Sequence, residues 1–225
     1  MNDSQNPTTY TFNNPTFVNA LQYRVDLILK EKVMPGPSNM TAMGGMGTSD
    51  LFMNGTAAMF VSGIWKTPQF RDIKDFDWDI AMFPKGPTGL RGFPGGGSGY
   101  GILSTSKNKK AAWEFIKYIA GPEGQAKMAS TGLAQPALKS VAESPAFQDG
   151  QKPLNKKMLL KAVDYSVYPP MAKNWLEIYQ GTITPIFDGL WTGKVTAQEA
   201  IDQLAEALKS KALVSETTAA NPAAK

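Results

Sequence analysis

The tetrapeptide Ser62-Gly63-Ile64-Trp65 comes nearest in this sequence to a binding chemistry. The apolar run 56–63 ahead of it reads as a buried strand broken by glycine, which puts Trp65 at a carboxyl strand end, the usual ligand edge of open α/β sheets. A flat indole there suits stacking on the apolar face of a sugar. An indole that plugs the core would give the same pattern, so both readings stay open. Trp175, at the start of a predicted helix, poses the same choice, whereas Trp113 shares a helix flank with Ile116 and Ala120 and reads as core. A second feature is the run Gly95-Gly96-Gly97-Ser98-Gly99-Tyr100-Gly101. So many glycines mark backbone that something approaches closely, either a ligand at Gly96, Gly97 and Ser98 or another chain segment.

Other arrangements fail on spacing. Asp75, Asp77 and Asp79 alternate like the start of a calcium loop, but Ile80 and Gly86 stand where glycine and glutamate are needed, so the carboxylates read as a solvent face. The run from Gly189 to Val195 lacks phosphate-loop spacing and follows a helix, which makes it a helix end. The glycine run precedes a strand where a dinucleotide fingerprint must follow one. The sequence has no histidine and no cysteine. That removes disulfides, thiolate and imidazole metal sites and the Ser-His and Cys nucleophile systems. Carboxylate chemistry survives as an alternative, a glycosidase using Glu114, Asp164 or Glu177, although nothing places two of these together.

These residues need a folded scaffold, and the composition allows one. With 42% hydrophobic and 10% aromatic residues, 225 residues can bury a substantial core. The net charge of +4 arises from dispersed Lys and Arg, without the basic stripe and interleaved aromatics of a nucleic-acid surface. No apolar run reaches membrane-span length, and the first residues lack a signal-peptide pattern. Asn14-Pro15 opens an amphipathic helix over 15–32, with Phe17, Val18, Leu21, Val25 and Ile28 on its apolar side. A loop with Pro35, Pro37 and a methionine-glycine patch at 43–47 follows, then a short helix over 49–53 closed by Asn54-Gly55.

Strands are expected at 56–63, 78–83 and 100–104, separated by a crossing loop over 85–99. Helices follow over 108–120, with Ala112, Phe115, Ile116 and Ile119 as its apolar face, then over 122–130, 155–165 and 175–190, the last interrupted by Pro185. The final helix carries a capping box, Thr196 with Glu199, and buries Ala200, Leu204 and Leu208. Residues 215–225 read as a flexible tail. Three strands among so many helices is an α/β or α+β pattern whose sheet is too small for its helices, which points to strands of the same sheet lying outside this chain.

In this order, the segments resemble the extracellular solute-binding proteins of ABC importers, the family-1 sugar-binding type related to maltose-binding protein. The resemblance runs from about Phe17 to Leu208. It is carried by Asp50-Leu51-Phe52, Asn54-Gly55-Thr56-Ala57-Ala58-Met59, Ser62-Gly63-Ile64-Trp65, Trp78-Asp79-Ile80-Ala81, Phe83-Pro84-Lys85-Gly86-Pro87, Gly96-Gly97-Ser98 and the helix from Ala111 to Ile119 before Gly121-Pro122-Glu123-Gly124-Gln125. Trp175, Gly193 and Thr196 to Ala200 continue it.

The resemblance implies a type II periplasmic-binding-protein-like α/β fold, helix-rich and with segments of both lobes, and identifies the chain as a C-terminal portion. It implies hinge closure on a carbohydrate between the lobes, delivery to an ABC permease in the membrane, an extracytoplasmic location and no cofactor. It puts the cleft tryptophan on Trp65 beside Ser62 and Gly63, close-approach backbone on Gly96 and Gly97, a hydroxyl on Ser98 and a second aromatic on Trp175. Half a cleft could also leave a module that folds or interacts without binding sugar.

Overall fold

A computed structural model describes residues 9–42, 47–170, 172–211 and 213. Its elements in chain order are α1 (Pro15–Val25), α2 (Pro37–Ala42), α3 (Thr48–Met53), α4 (Thr67–Phe70), β1 (Phe93–Pro94), α5 (Lys109–Ala120), α6 (Pro122–Ser130), α7 (Lys139–Ala142), α8 (Lys157–Ala162), β2 (Ser166–Val167), α9 (Trp175–Ile178), α10 (Thr184–Trp191) and α11 (Ala197–Leu208). The chain divides into two compact units, Met1–Gly47 with Pro169–Lys225, and Thr48–Tyr168. Among the described residues no helix is long and apolar enough to cross a membrane.

The first unit is helical and folds as its sequence dictates. The Asn14 side chain accepts from the Phe17 N–H at 3.0 Å, Pro15 follows it, and α1 continues as a wider π-helical turn over Asp26–Lys30. Leu21 and Val25 pack with Ile178, Leu190, Ala200, Ile201, Leu204 and Leu208 in one core. Pro185 does not break its helix. A π-helical stretch, Tyr179–Ile183, runs directly into α10, and Pro185 sits in the first turn after that change of register. Gly193 takes φ +74° and ends that helix. The capping box forms as expected: the Glu199 N–H donates to Thr196 Oγ1 at 3.2 Å, and the Thr196 N–H donates to Glu199 Oε2 at 2.7 Å. Replacing Thr196 by alanine should cost about 1 kcal/mol, read as a lowered denaturation midpoint at unchanged slope. The methionine-glycine patch at 43–46 and the tail at 215–225 lie outside the described residues, while Pro37 starts a short helix where a loop was expected.

The second unit corrects the strand assignments. Residues 56–63, 78–83 and 100–104 contain no strand, and the one ladder among the described residues is a two-residue parallel pair, Phe93 with Ser166 and Pro94 with Val167. A strand is a paired object, and these apolar runs meet no neighbouring ladder here. Met59 is accordingly 88% exposed. Trp113 is likewise not core but 53% exposed, and α5 has no fully buried residue, with Phe115 outside and Ala112, Ile116 and Ile119 only partly covered. What is packed lies below these segments. Phe52, Phe70 and Trp78 form an aromatic cluster with Phe70 at 5.1 and 5.7 Å from the other two, and Ala129, Val141 and the fully buried Phe147 form a second core.

A buried ionic knot ties α4 to the 149–156 segment. Arg71 Nε donates to the Lys152 carbonyl at 2.8 Å, Arg71 Nη2 reaches Asp149 Oδ2 at 3.3 Å, and Lys156 Nζ donates to the other Asp149 oxygen. Asp75, Asp77 and Asp79 are exposed, as expected of a solvent face, and two of them also make contacts there: Asp77 pairs with Lys152, and Asp79 accepts from the Asn155 N–H at 3.1 Å.

Candidate functional site

Gly63 is extended, at φ −110° and ψ 172°, and introduces a single 3-10 turn, Ile64–Lys66. The Lys66 N–H closes that turn on the Gly63 carbonyl at 3.3 Å. Lys66 Nζ anchors it from the side, donating to Ser49 Oγ at 3.1 Å and Gln69 Oε1 at 3.2 Å. Ile64 packs against the core around Phe147, and Thr67 is buried at the start of α4. With its neighbours turned inward, Trp65 faces out and is 62% exposed. Among the described residues Trp65 plugs no core. Ser62 beside it is also exposed.

The indole is not loose. A Cβ placed on Gly63 would fall 1.8 Å from Cζ3 of Trp65 and 2.3 Å from both Cε3 and Cη2. Equal distances to the two ring neighbours put that position on the ring normal, since an approach in the ring plane would leave both much farther away. One face of the benzo ring therefore lies over the Gly63 backbone.

The glycine run splits into two kinds. A Cβ on Gly95 would meet Ser166 at 2.7 Å and Tyr168 at 3.1 Å, and one on Gly92 would meet Val167 at 3.3 Å, so these two serve the close approach of β1 to β2. Gly96, Gly97, Gly99 and Gly101 have nothing within 4 Å of such a position, and Gly96, Gly97 and Ser98 are exposed. Packing thus explains the first pair and leaves the others facing open space. An open hollow of about 420 Å3 in the same unit, lined by Phe52, Phe76, Asp77, Trp78 and Asp79 among others, contains none of the expected site residues.

Trp175 belongs to the other unit, half-buried at the start of α9 against the core there, with the Tyr179 ring 6.2 Å away. Tyr179, half exposed, is an aromatic that the sequence reading passed over, although its spacing of four from Trp175 on one helix was a usable signal. Tyr168 and Tyr165 were also passed over. Only the β1 to β2 pairing brings Tyr168 to Gly95, and Arg91 lies over the Tyr165 ring at 5.5 Å. Of the carboxylates weighed for glycosidase chemistry, Glu114 is paired with Lys117 at 2.7 Å on an exposed helix face.

Comparison with known proteins gives this arrangement a context. The family described as bacterial extracellular solute-binding protein matches residues 2–155. A galactooligosaccharide-binding protein of Bacillus subtilis is 28% identical over 166 residues, which are 72% of this chain and 37% of that protein. Among solved structures, maltose-bound MalE3 of T. maritima aligns with a TM-score of 0.77 at 26% identity, covering 92% of this chain and 53% of that one. An ABC substrate-binding protein of Listeria monocytogenes in complex with cycloalternan aligns with a TM-score of 0.73 at 25% identity, covering 90% of this chain and 51% of its own. The fold is thus the type II periplasmic sugar-binding fold, of which this chain spans about half the length seen in those structures. With the family match covering more than half of its residues, the chain belongs to the bacterial extracellular solute-binding protein family.

Proposed function

We propose that this chain is part of the ligand-capturing component of an ABC importer, which works outside the cytoplasm, in a periplasm or as a cell-surface lipoprotein, and hands a carbohydrate to its membrane permease. The observation that carries this reading is Trp65, an exposed indole with one ring face seated on backbone and the other free. A sugar ring offers C–H groups to such a face and hydroxyls to a polar neighbour, here Ser62, while Ser98 and the open backbone of Gly96 and Gly97 are further candidate polar contacts in the same unit. Trp175, with Tyr179 beside it, is a second candidate aromatic surface, within its own unit. Maltose, cycloalternan and galactooligosaccharide, named with the relatives above, support an oligosaccharide as the substrate class.

The action is capture without bond cleavage, since stacking and hydroxyl hydrogen bonds need no acid-base pair. Calorimetric titration with these three sugars should give saturable heat with at least one of them and no new reducing ends. Silence with all three would overturn the reading, and release of reducing ends would replace it with a glycosidase.

A further inference from the structure

Gly63 stands in a backbone conformation that any residue adopts, so its identity is not required by φ and ψ. The three nearest atoms that a Cβ would strike all belong to the ring of Trp65, two residues on, and it would strike that ring through its face. The ring is exposed and its rotamer is free to change, so the clash would be relieved by the indole swinging away, not by the fold giving.

We infer that Gly63 is a positioning residue: its bare Cα is the seat that fixes the Trp65 indole with one face covered and the opposite face turned outward. Gly63 then acts through Trp65 and not by touching the ligand. This assignment of its role in binding rests on the carbohydrate reading above, whereas the seat itself does not. Seating a large ring in advance removes the cost of immobilising it when ligand arrives. Alanine at this position keeps the backbone and removes the seat.

The test is Gly63→Ala in the full 225-residue chain labelled with fluorotryptophan, with Trp65→Phe used to assign the Trp65 fluorine resonance. The expected result is a shifted Trp65 resonance, with those of Trp78, Trp113, Trp175 and Trp191 unmoved and the melting temperature unchanged or raised. An unmoved Trp65 resonance overturns the inference. In parallel, maltose affinity should fall about fivefold in Gly63→Ala, the cost of fixing one freed side chain. If the ring moves and Trp65→Ala weakens maltose binding but Gly63→Ala does not, the positioning role is wrong. If the ring moves while Trp65→Ala leaves sugar binding intact, or none of the three sugars binds, the seat stands and the carbohydrate reading at Trp65 falls.

Discussion

On the carbohydrate reading proposed above, Trp65→Ala should weaken about fiftyfold the binding of the sugar that the chain takes, while moving the melting temperature hardly at all. The two halves of that expectation have separate origins. Covering the free face of the indole and the sugar face laid on it removes on the order of 90 Å2 of apolar surface from water, worth about 2.3 kcal/mol at ~25 cal/mol per Å2, or about fiftyfold. The folded chain, in contrast, gains little from this ring, because it is 62% exposed and the segment is held by its neighbours. Ile64 sits in the core, Thr67 is buried, and Lys66 is tied to Ser49 and Gln69. Exposed substitutions of this sort stay within about 0.5 kcal/mol. Titration calorimetry beside a thermal melt checks both halves, and an unchanged affinity with an intact melt would remove Trp65 from the site.

Asp149→Asn should destabilise the second unit by about 3–5 kcal/mol. Lys156 is 3% exposed and Arg71 is largely covered, and both place a cation on the same carboxylate. Removing the negative charge leaves the buried Lys156 cation without its carboxylate and takes the ion pair from the part-buried Arg71, which costs more than the pair contributed in attraction. Burial pushes the Asp149 carboxyl up, but the Lys156 hydrogen bond, the Gln151 N–H, and the charges of Lys156 and Arg71 outweigh it, so its pKa stands below the ordinary carboxylate value.

A group whose pKa is lowered by folding binds more protons when unfolded, so its contribution is complete above the ordinary carboxylate range. It is lost as pH falls through that range to the lower folded value. Denaturation midpoints of the wild-type chain and Asp149→Asn should therefore differ most at neutral pH and converge as pH drops below about 4. A gap that persists unchanged into acid would show that the charge of Asp149 is not what holds the knot.

Helix ends were legible in this sequence because their causes are local. Asn14 with Pro15, Thr196 with Glu199, and Gly193 each satisfy or terminate a helix through groups within a few residues, and each does so in the structure. The apolar faces of α1 and α11 were legible for a related reason, since helical spacing puts Leu21 with Val25 and Leu204 with Leu208 on one stripe, and both stripes find the same core. Strands failed where helices succeeded. The apolar run 56–63 has the composition of a strand, but the hydrogen bonds that define one must come from another segment, and none reaches it among the described residues. Trp113 was misread for the same reason: helical spacing identifies an apolar flank without saying whether anything lies against it.

The site divides along the same line. By itself the sequence determined that histidine and cysteine chemistry, and with it most catalytic and metal chemistry, is closed to this chain, and it made tryptophan and glycine the candidates for binding. It also singled out Ser62-Gly63-Ile64-Trp65, and the order of its motifs pointed to the family. Only the tertiary structure decided that Trp65 is exposed, that its ring rests on Gly63, and that Gly95 serves packing while Gly96 and Gly97 face open space. Residue type limits which contacts a side chain is able to make. Which of them it makes depends on segments distant in sequence, such as Ser166 against Gly95, and such proximity is set by packing and not by spacing.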